Sequence, residues 1–204
     1  MNIDEIISAA PVMPVLVIHE LENAVPLARA LLSGGLKVIE VTLRTPIAME
    51  AVARITEALP EAIVGVGTLT RPEQFSQAAD AGAQFAVSPG LTQVLLNASV
   101  ESEMPYLPGV FSPSEVMAAH DIGLDYLKLF PAQQAGGIEM LEALAGPFPD
   151  LKFCPTGGID KSNFRKYLAL PNVASVGGNW MAPAEAIAAR DWDTITRLSA
   201  KAIA

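Results

Sequence analysis

Short apolar runs and longer amphipathic stretches alternate along the whole chain of 204 residues. The apolar runs predict eight strands, at 12–18, 37–43, 62–66, 84–88, 105–107, 124–129, 151–154 and 173–176. Apolar residues at helical spacing predict helices at 22–33, 46–58, 72–81, 91–99, 113–120, 137–145, 160–168, 183–188 and 192–202. A strand followed by a helix, repeated eight times, indicates a parallel α/β protein.

The number of strand–helix units predicts the overall architecture. Eight units fit one closed (β/α)₈ barrel, and a doubly wound open sheet is the alternative. Residues 2–9 are expected to form a short helix that covers the lower end of the barrel. No linker or low-complexity stretch divides the chain, so residues 1–204 are expected to form a single domain rather than two small ones.

Several helix starts carry capping signals. Thr45 stands before a proline and is predicted to be an N-cap. Thr70 with Glu73, and Ser112 with Glu115, have the spacing of a capping box.

Composition and charge exclude several classes of function. The formal net charge is −9 without a basic cluster, so no nucleic-acid partner is expected. No apolar stretch is long enough for a membrane span, and residues 1–10 lack the basic residues of a signal peptide. The single cysteine, Cys154, excludes an internal disulfide and favours a cytoplasmic location. No histidine, cysteine or acidic cluster has metal-ligand spacing, so no metal is expected.

The second predicted strand becomes polar towards its end. Glu40, Thr42 and Arg44 alternate onto one face, whereas the opposite face is apolar. Polar groups on a buried strand are costly without partners. This face therefore predicts either a structural ion pair between Glu40 and Arg44 or a site at the C-terminal ends of the strands, where parallel α/β proteins bind ligands.

Among the six lysines, only Lys128 combines an apolar surround with the C-terminal end of a strand. An apolar surround disfavours the ammonium form and makes a lysine nucleophilic. The strand context alone leaves two alternatives open, a nucleophile and a lysine that only pairs with a buried carboxylate.

Glycine-rich turns follow the last two predicted strands. Thr156-Gly-Gly158 follows the seventh, and Gly177-Gly-Asn179 follows the eighth. Glycine lets backbone N–H groups approach a phosphate, and these two loops often bind phosphate in barrels. Thr68 and Ser88, at the ends of the third and fourth strands, could bind a substrate or only cap a helix.

Five ordered motifs together resemble a known family. They begin at Glu40 (EVTLRT), Gly65 (GVGT), Ser88 (SPG), Lys128 (KLFPA) and Cys154 (CPTGG). The chain resembles, over nearly its whole length, the bacterial 2-keto-3-deoxy-6-phosphogluconate (KDPG) aldolases and the related 4-hydroxy-2-oxoglutarate (KHG) aldolases. The resemblance implies a homotrimeric (β/α)₈ barrel, in the cytoplasm, that cleaves a phosphorylated keto acid in the Entner–Doudoroff pathway without a cofactor.

The resemblance also implies a role for each matching residue. Lys128 corresponds to the Schiff-base lysine and Glu40 to the general acid and base. The residues implied for the pyruvate half are Arg44, Thr68, Pro89 and Phe130. Those implied for the distal phosphate end are Thr156, Gly157, Gly158, Gly178 and Asn179. The family pattern leads us to expect serine at position 179, so the asparagine leaves phosphate affinity and substrate preference open.

Three other functions are compatible with the same residues. A KHG aldolase would use the same lysine on a substrate without phosphate, and a 6-phosphogalactonate-derived substrate would differ in stereochemistry. A barrel that only binds a phosphorylated ligand, or a cofactor-free isomerase, would form no imine.

Overall fold

The computed structural model describes residues 1–204 and alternates strands with helices. The strands are β1 (Val12–Leu16), β2 (Val38–Thr42), β3 (Ile63–Gly67), β4 (Phe85–Val87), β5 (Tyr106–Leu107), β6 (Gly109–Val110), β7 (Tyr126–Leu129), β8 (Lys152–Phe153) and β9 (Val176–Gly178). The helices are α1 (Ile3–Ser8), α2 (Ala24–Ser33), α3 (Ala48–Ala58), α4 (Glu73–Asp80), α5 (Gln93–Ser102), α6 (Pro113–His120), α7 (Gly137–Ala145), α8 (Phe164–Leu168), α9 (Ala184–Ala188) and α10 (Trp192–Ile203). A 3-10 turn, Leu21–Asn23, precedes α2.

All strand pairs are parallel, which confirms the predicted α/β class. One sheet has six strands in the order β5-β4-β3-β2-β1-β9, and a second has the order β6-β7-β8. Only Pro108 separates β5 from β6, and the single bridges Phe153–Val173 and Thr156–Gly177 join the β8 side to the β9 side. The closed eight-stranded barrel is therefore confirmed only in part, as a parallel, curled sheet.

Helix α1 closes the N-terminal end of the strands, as predicted. Ile6 and Ile7 are fully buried in an apolar cluster with residues of the six-stranded sheet and with Cys154, which follows β8: Met13, Val38, Phe85, Val87, Leu107 and Cys154. The Tyr126 hydroxyl, at the start of β7, donates a hydrogen bond to the Asp4 carboxylate and ties α1 to the sheet. A larger cluster lies between the outer sheet surface and the helices. No helix is both long and apolar enough to cross a membrane.

The last strand lies further along the chain than predicted. Residues 173–175 are outside β9, and Val173 forms only the isolated bridge to Phe153. Gly177 and Gly178, predicted as a turn, belong to β9. A Cβ on Gly177 would collide with the Thr156 hydroxyl, so glycine is needed here for a close side-chain approach.

Only one of the three capping predictions is confirmed, the box formed by Ser112 and Glu115. Thr45 is not an N-cap, because its hydroxyl donates to the Ile18 carbonyl at 2.7 Å and α3 begins at Ala48. Thr70 is not one either, because the Gln74 side chain accepts the N–H groups of Thr70 and Arg71 at 2.7 and 2.9 Å.

Candidate active site

The centre of the candidate site is an ion pair between Lys128 of β7 and Glu40 of β2. Lys128 Nζ lies 3.0 Å from Glu40 Oε1 and 3.1 Å from Oε2. The two side chains are only 6% and 2% exposed, so each charge depends on the other for its compensation. Because Glu40 pairs with Lys128, the alternative of a Glu40–Arg44 ion pair is wrong.

Glycine in β3 makes room for the Glu40 carboxylate. Glu40 is in register with Gly65, and Thr42 with Gly67. A Cβ on Gly67 would collide with Glu40 Oε1, so the carboxylate lies directly against the backbone. Thr42, on the same face of β2, donates its hydroxyl to the Leu16 carbonyl at 2.8 Å and joins β2 to β1.

Arg44 and Thr68 follow the ends of β2 and β3 and keep free donors. The Arg44 guanidinium forms no ion pair within the chain, and neither side chain donates a hydrogen bond to the protein. Thr68 has φ +61°, a left-handed conformation that β-branched residues rarely adopt. The Leu69 N–H donates to the Val87 carbonyl at 3.1 Å and fixes the chain just after Thr68. Strained residues of this kind cluster at functional sites.

The turn after β4 is held by buried hydroxyl groups. Ser88 is fully buried, donates to the Gly90 carbonyl at 2.8 Å and lies 2.6 Å from the Tyr106 hydroxyl. Burial raises the pKa of Tyr106 to about 12, and the bond to Ser88 opposes that rise. A Cβ on Gly109 would collide with the Pro89 carbonyl group, so Pro89 is closely packed against β6. The Ser88 hydroxyl is thus used within the protein.

A cavity of about 380 Å³ opens beside the ion pair at the C-terminal ends of the strands. Seven of the eleven predicted site residues line it: Arg44, Phe130, Thr156, Gly157, Gly158, Gly178 and Asn179. The Phe130 ring connects this cavity to the ion pair, because its centroid is 5.4 Å from Lys128 Nζ. The other four, Lys128, Glu40, Thr68 and Pro89, do not line the cavity.

The glycine turn after β8 gives the cavity unpaired backbone donors. Gly157 and Gly158 have φ +99° and +77°, which glycine adopts without strain. The N–H groups of Gly157, Gly158 and Ile159 donate to no acceptor in the protein. Such a run of backbone donors is suited to an anion.

The sequence reasoning missed one polar residue of the cavity, Gln134. The available signal was its place: it follows the Lys128-Leu-Phe-Pro-Ala132 motif, in the loop at the C-terminal end of β7.

A second cavity, of about 450 Å³, lies between the end of β1 and α9. It shares Val15, Val17 and Asn179 with the first, but neither Arg44, Phe130 nor the Gly157–Gly158 turn lines it. Its size is therefore not a reason to place the chemistry there.

Metal ligands and a reactive thiol are not part of this arrangement. No three His, Cys, Asp or Glu side chains form a group that could hold a metal. Cys154 is buried, and burial raises the pKa of its thiol to about 12.

Comparison with known proteins gives one consistent family. The family model for KDPG and KHG aldolase matches residues 3–198. The 2-dehydro-3-deoxy-phosphogluconate aldolase of Dickeya dadantii is 51% identical over 201 residues, covering 98% of this chain and 94% of that protein. The KHG/KDPG aldolase of Escherichia coli K12 is 50% identical over 200 residues, covering 98% and 94%.

A solved structure is equally similar. The KDPG aldolase of Legionella pneumophila, with pyruvate captured at low pH as a covalent carbinolamine intermediate, has a TM-score of 0.98 and 49% identity. The match covers 100% of this chain and 99% of that one. The chain therefore belongs to the KDPG and KHG aldolase family.

Proposed function

We propose that this protein is a class I aldolase that reversibly cleaves KDPG to pyruvate and D-glyceraldehyde 3-phosphate without a cofactor. The observation that carries the proposal is the buried contact of Lys128 Nζ with both oxygens of Glu40, beside a cavity with anion-binding groups. The pyruvate carbinolamine of the Legionella relative supports the same chemistry.

The first step is imine formation. Glu40 takes a proton from Lys128, and the neutral Nζ attacks the C2 carbonyl to give a carbinolamine. The carbinolamine loses water, with the proton returned by Glu40, and becomes an iminium. Bonding distances of 3.0 and 3.1 Å allow Glu40 to move protons directly to and from Nζ.

The second step is cleavage of the C3–C4 bond. Glu40 removes the proton of the C4 hydroxyl, the C3–C4 electron pair moves into the iminium, and glyceraldehyde 3-phosphate leaves as the aldehyde. The remaining enamine takes a proton at C3, and water then releases pyruvate and the free lysine. The iminium serves as the electron sink that makes the carbon–carbon bond labile.

The remaining site residues bind the two ends of the substrate. Arg44, whose guanidinium has no partner in the chain, clamps the carboxylate, and Thr68 adds a hydroxyl donor. Pro89 and Phe130 line the pyruvate half. The phosphate end is held by Thr156, Gly157, Gly158, Gly178 and Asn179, and the free N–H groups of the Gly157–Gly158 turn support this role.

We also propose that residues 1–204 form one domain with a closed (β/α)₈ barrel. The one-residue gap at Pro108 and the Thr156–Gly177 bridge support closure, because they link the two sheets on both sides. The homotrimer and the cytoplasmic location stay predictions that rest on the family resemblance and on the single cysteine.

KHG is the second candidate substrate, because the Escherichia coli relative carries both activities in its name. Its cleavage to pyruvate and glyoxylate would use the same lysine but no phosphate site. Side-by-side kcat/KM values for KDPG, its galactonate-derived epimer and KHG decide between the three.

Borohydride trapping tests the proposed chemistry. The protein is incubated with pyruvate, reduced with borohydride, and mapped by mass spectrometry; we expect one reduced adduct, on Lys128. Lys128→Ala should lose both the adduct and KDPG cleavage, whereas Lys166→Ala, at an exposed lysine, should retain both. An adduct on another lysine contradicts the assigned nucleophile, and no adduct leaves a non-catalytic binding protein or an isomerase.

A further inference from the structure

One polar residue of the cavity has no part in the mechanism above. Gln134 is exposed, lines the same cavity as Arg44 and the Gly157–Gly158 turn, and its side chain forms no hydrogen bond within the protein. A free carboxamide in a substrate cavity is available as two N–H donors and one acceptor.

The position of Gln134 is fixed relative to the glycine turn. The Ala132 N–H donates to the Thr156 carbonyl at 2.8 Å, and the Gln133 N–H donates to the Gly157 carbonyl at 3.1 Å. The loop also bonds to itself, since the Ala135 N–H donates to the Pro131 carbonyl at 3.0 Å. The loop that carries Gln134 is thus bonded directly to the turn with the free N–H donors.

The cavity has few cationic groups, which increases the importance of neutral donors such as Gln134. Arg44 is the only lysine or arginine that lines this cavity. If Arg44 clamps the carboxylate of the substrate, the phosphate meets only neutral donors. Each neutral donor then contributes directly to phosphate affinity, because no cation there dominates the interaction.

We infer that the Gln134 carboxamide donates a hydrogen bond to the phosphate group and helps the site prefer phosphorylated over unphosphorylated substrates. The inference rests on the proposed aldolase function. A single hydrogen bond to a charged group at an exposed position corresponds to about a tenfold change in affinity.

The condensation direction isolates this contact, because the aldehyde can be offered with or without its phosphate. With pyruvate saturating, KM is measured for D-glyceraldehyde 3-phosphate and for D-glyceraldehyde. In Gln134→Ala we expect KM for the phosphorylated aldehyde to rise about tenfold, with kcat and the KM for D-glyceraldehyde unchanged. Gln134→Glu should raise the KM for D-glyceraldehyde 3-phosphate above that of Gln134→Ala. Gln134→Lys should have a KM for this aldehyde at the wild-type value or below it.

Matched variants of Gln77, an exposed glutamine on α4, control for the change of charge and should leave both constants unaltered. Equal effects of Gln134→Ala on both aldehydes, or KM values within twofold of wild type in all three variants, would overturn the inference. Pyruvate trapping by borohydride is run on each variant. If the wild-type protein forms no trapped adduct, the aldolase chemistry itself is refuted. Normal trapping with unchanged KM values in the Gln134 variants refutes only the role of Gln134.

Discussion

Replacing Gly67 with alanine should disable the enzyme through Glu40 alone. The backbone of Gly67 needs no left-handed conformation, so alanine is allowed there by its own dihedral angles. The obstacle is the new Cβ, which would collide with Glu40 Oε1 and with the rest of that carboxylate group. Glu40 must therefore move away from β3 and out of its bidentate contact with Lys128.

The structure sets the scale of the effect. Glu40 is 2% exposed, so its carboxylate has little free space to enter, and overpacking of this kind costs about 1–3 kcal/mol of stability. A displacement of about 1 Å in a catalytic group costs about 100-fold in rate. We therefore expect kcat for KDPG cleavage to fall about 100-fold, while the protein stays folded.

The assay is steady-state cleavage of KDPG, with circular dichroism and urea unfolding to verify the fold. Gly146→Ala is the matched control, because a Cβ at Gly146 meets nothing within 4 Å. That control should keep full activity and unfold at the same or a slightly higher urea concentration.

A double-mutant cycle with Glu40→Ala tests the route of the effect. If Gly67→Ala acts by displacing Glu40, adding it to Glu40→Ala should cause little further loss, because the displaced group is already gone. Two results would refute the reasoning: near-wild-type kcat in Gly67→Ala, or a further 100-fold loss in the double mutant.

Three further predictions concern Lys128, Thr68 and Cys154. Lys128→Met should lower the free energy of unfolding by about 3–5 kcal/mol because it leaves Glu40 charged, buried and unpaired. Adding Glu40→Gln should recover much of that loss, as measured by urea unfolding at a fixed protein concentration. Thr68→Gly should raise the free energy of unfolding by up to about 1 kcal/mol by relieving the left-handed conformation, yet raise KM for pyruvate by removing a hydroxyl donor; unchanged values of both would contradict the strain argument. The Cys154 thiol should not react with a thiol reagent at pH 8 until the protein unfolds. Because the folded protein raises the pKa of this thiol to about 12, the neutral thiol contributes to stability below about pH 9. That contribution is lost as the pH rises towards 12, as urea unfolding across this range would show.

Side-chain alternation along strands made much of the site predictable. It placed Glu40 on the polar face of β2 and Lys128 in an apolar strand, where the structure has them, whereas Arg44 lies in the turn after β2. It could not predict that Glu40 contacts Lys128 rather than Arg44. Glu40 and Lys128 are 88 residues apart in the chain, so their contact depends on how the strands are ordered and aligned in the sheets.

Hydroxyl groups and glycines account for most of the differences between the predicted and the observed local structure. Thr45 has the local signal of an N-cap, but the Ile18 carbonyl, in the loop after β1, accepts its hydroxyl instead. Gly177 and Gly178 have the local signal of a turn, but they pair with Met13 and Pro14 of β1 and extend the sheet. In each case a contact distant in sequence overrides a correct local preference, which a single sequence does not reveal.

The two ends of the strands divide stability and chemistry between them. At the N-terminal end, α1 packs Ile6 and Ile7 into an apolar cluster that needs no polar partner. At the C-terminal end, the protein leaves the Arg44 guanidinium and the N–H groups of Gly157 and Gly158 without internal partners, although a chain with a net charge of −9 has carboxylates to offer. Arg44 and Gly158 are exposed and Gly157 is half-buried, so these donors are open to solvent and available to an anionic ligand. The chain thus keeps its acidic side chains away from this cavity, apart from the Glu40 carboxylate beside it, which Lys128 holds in position.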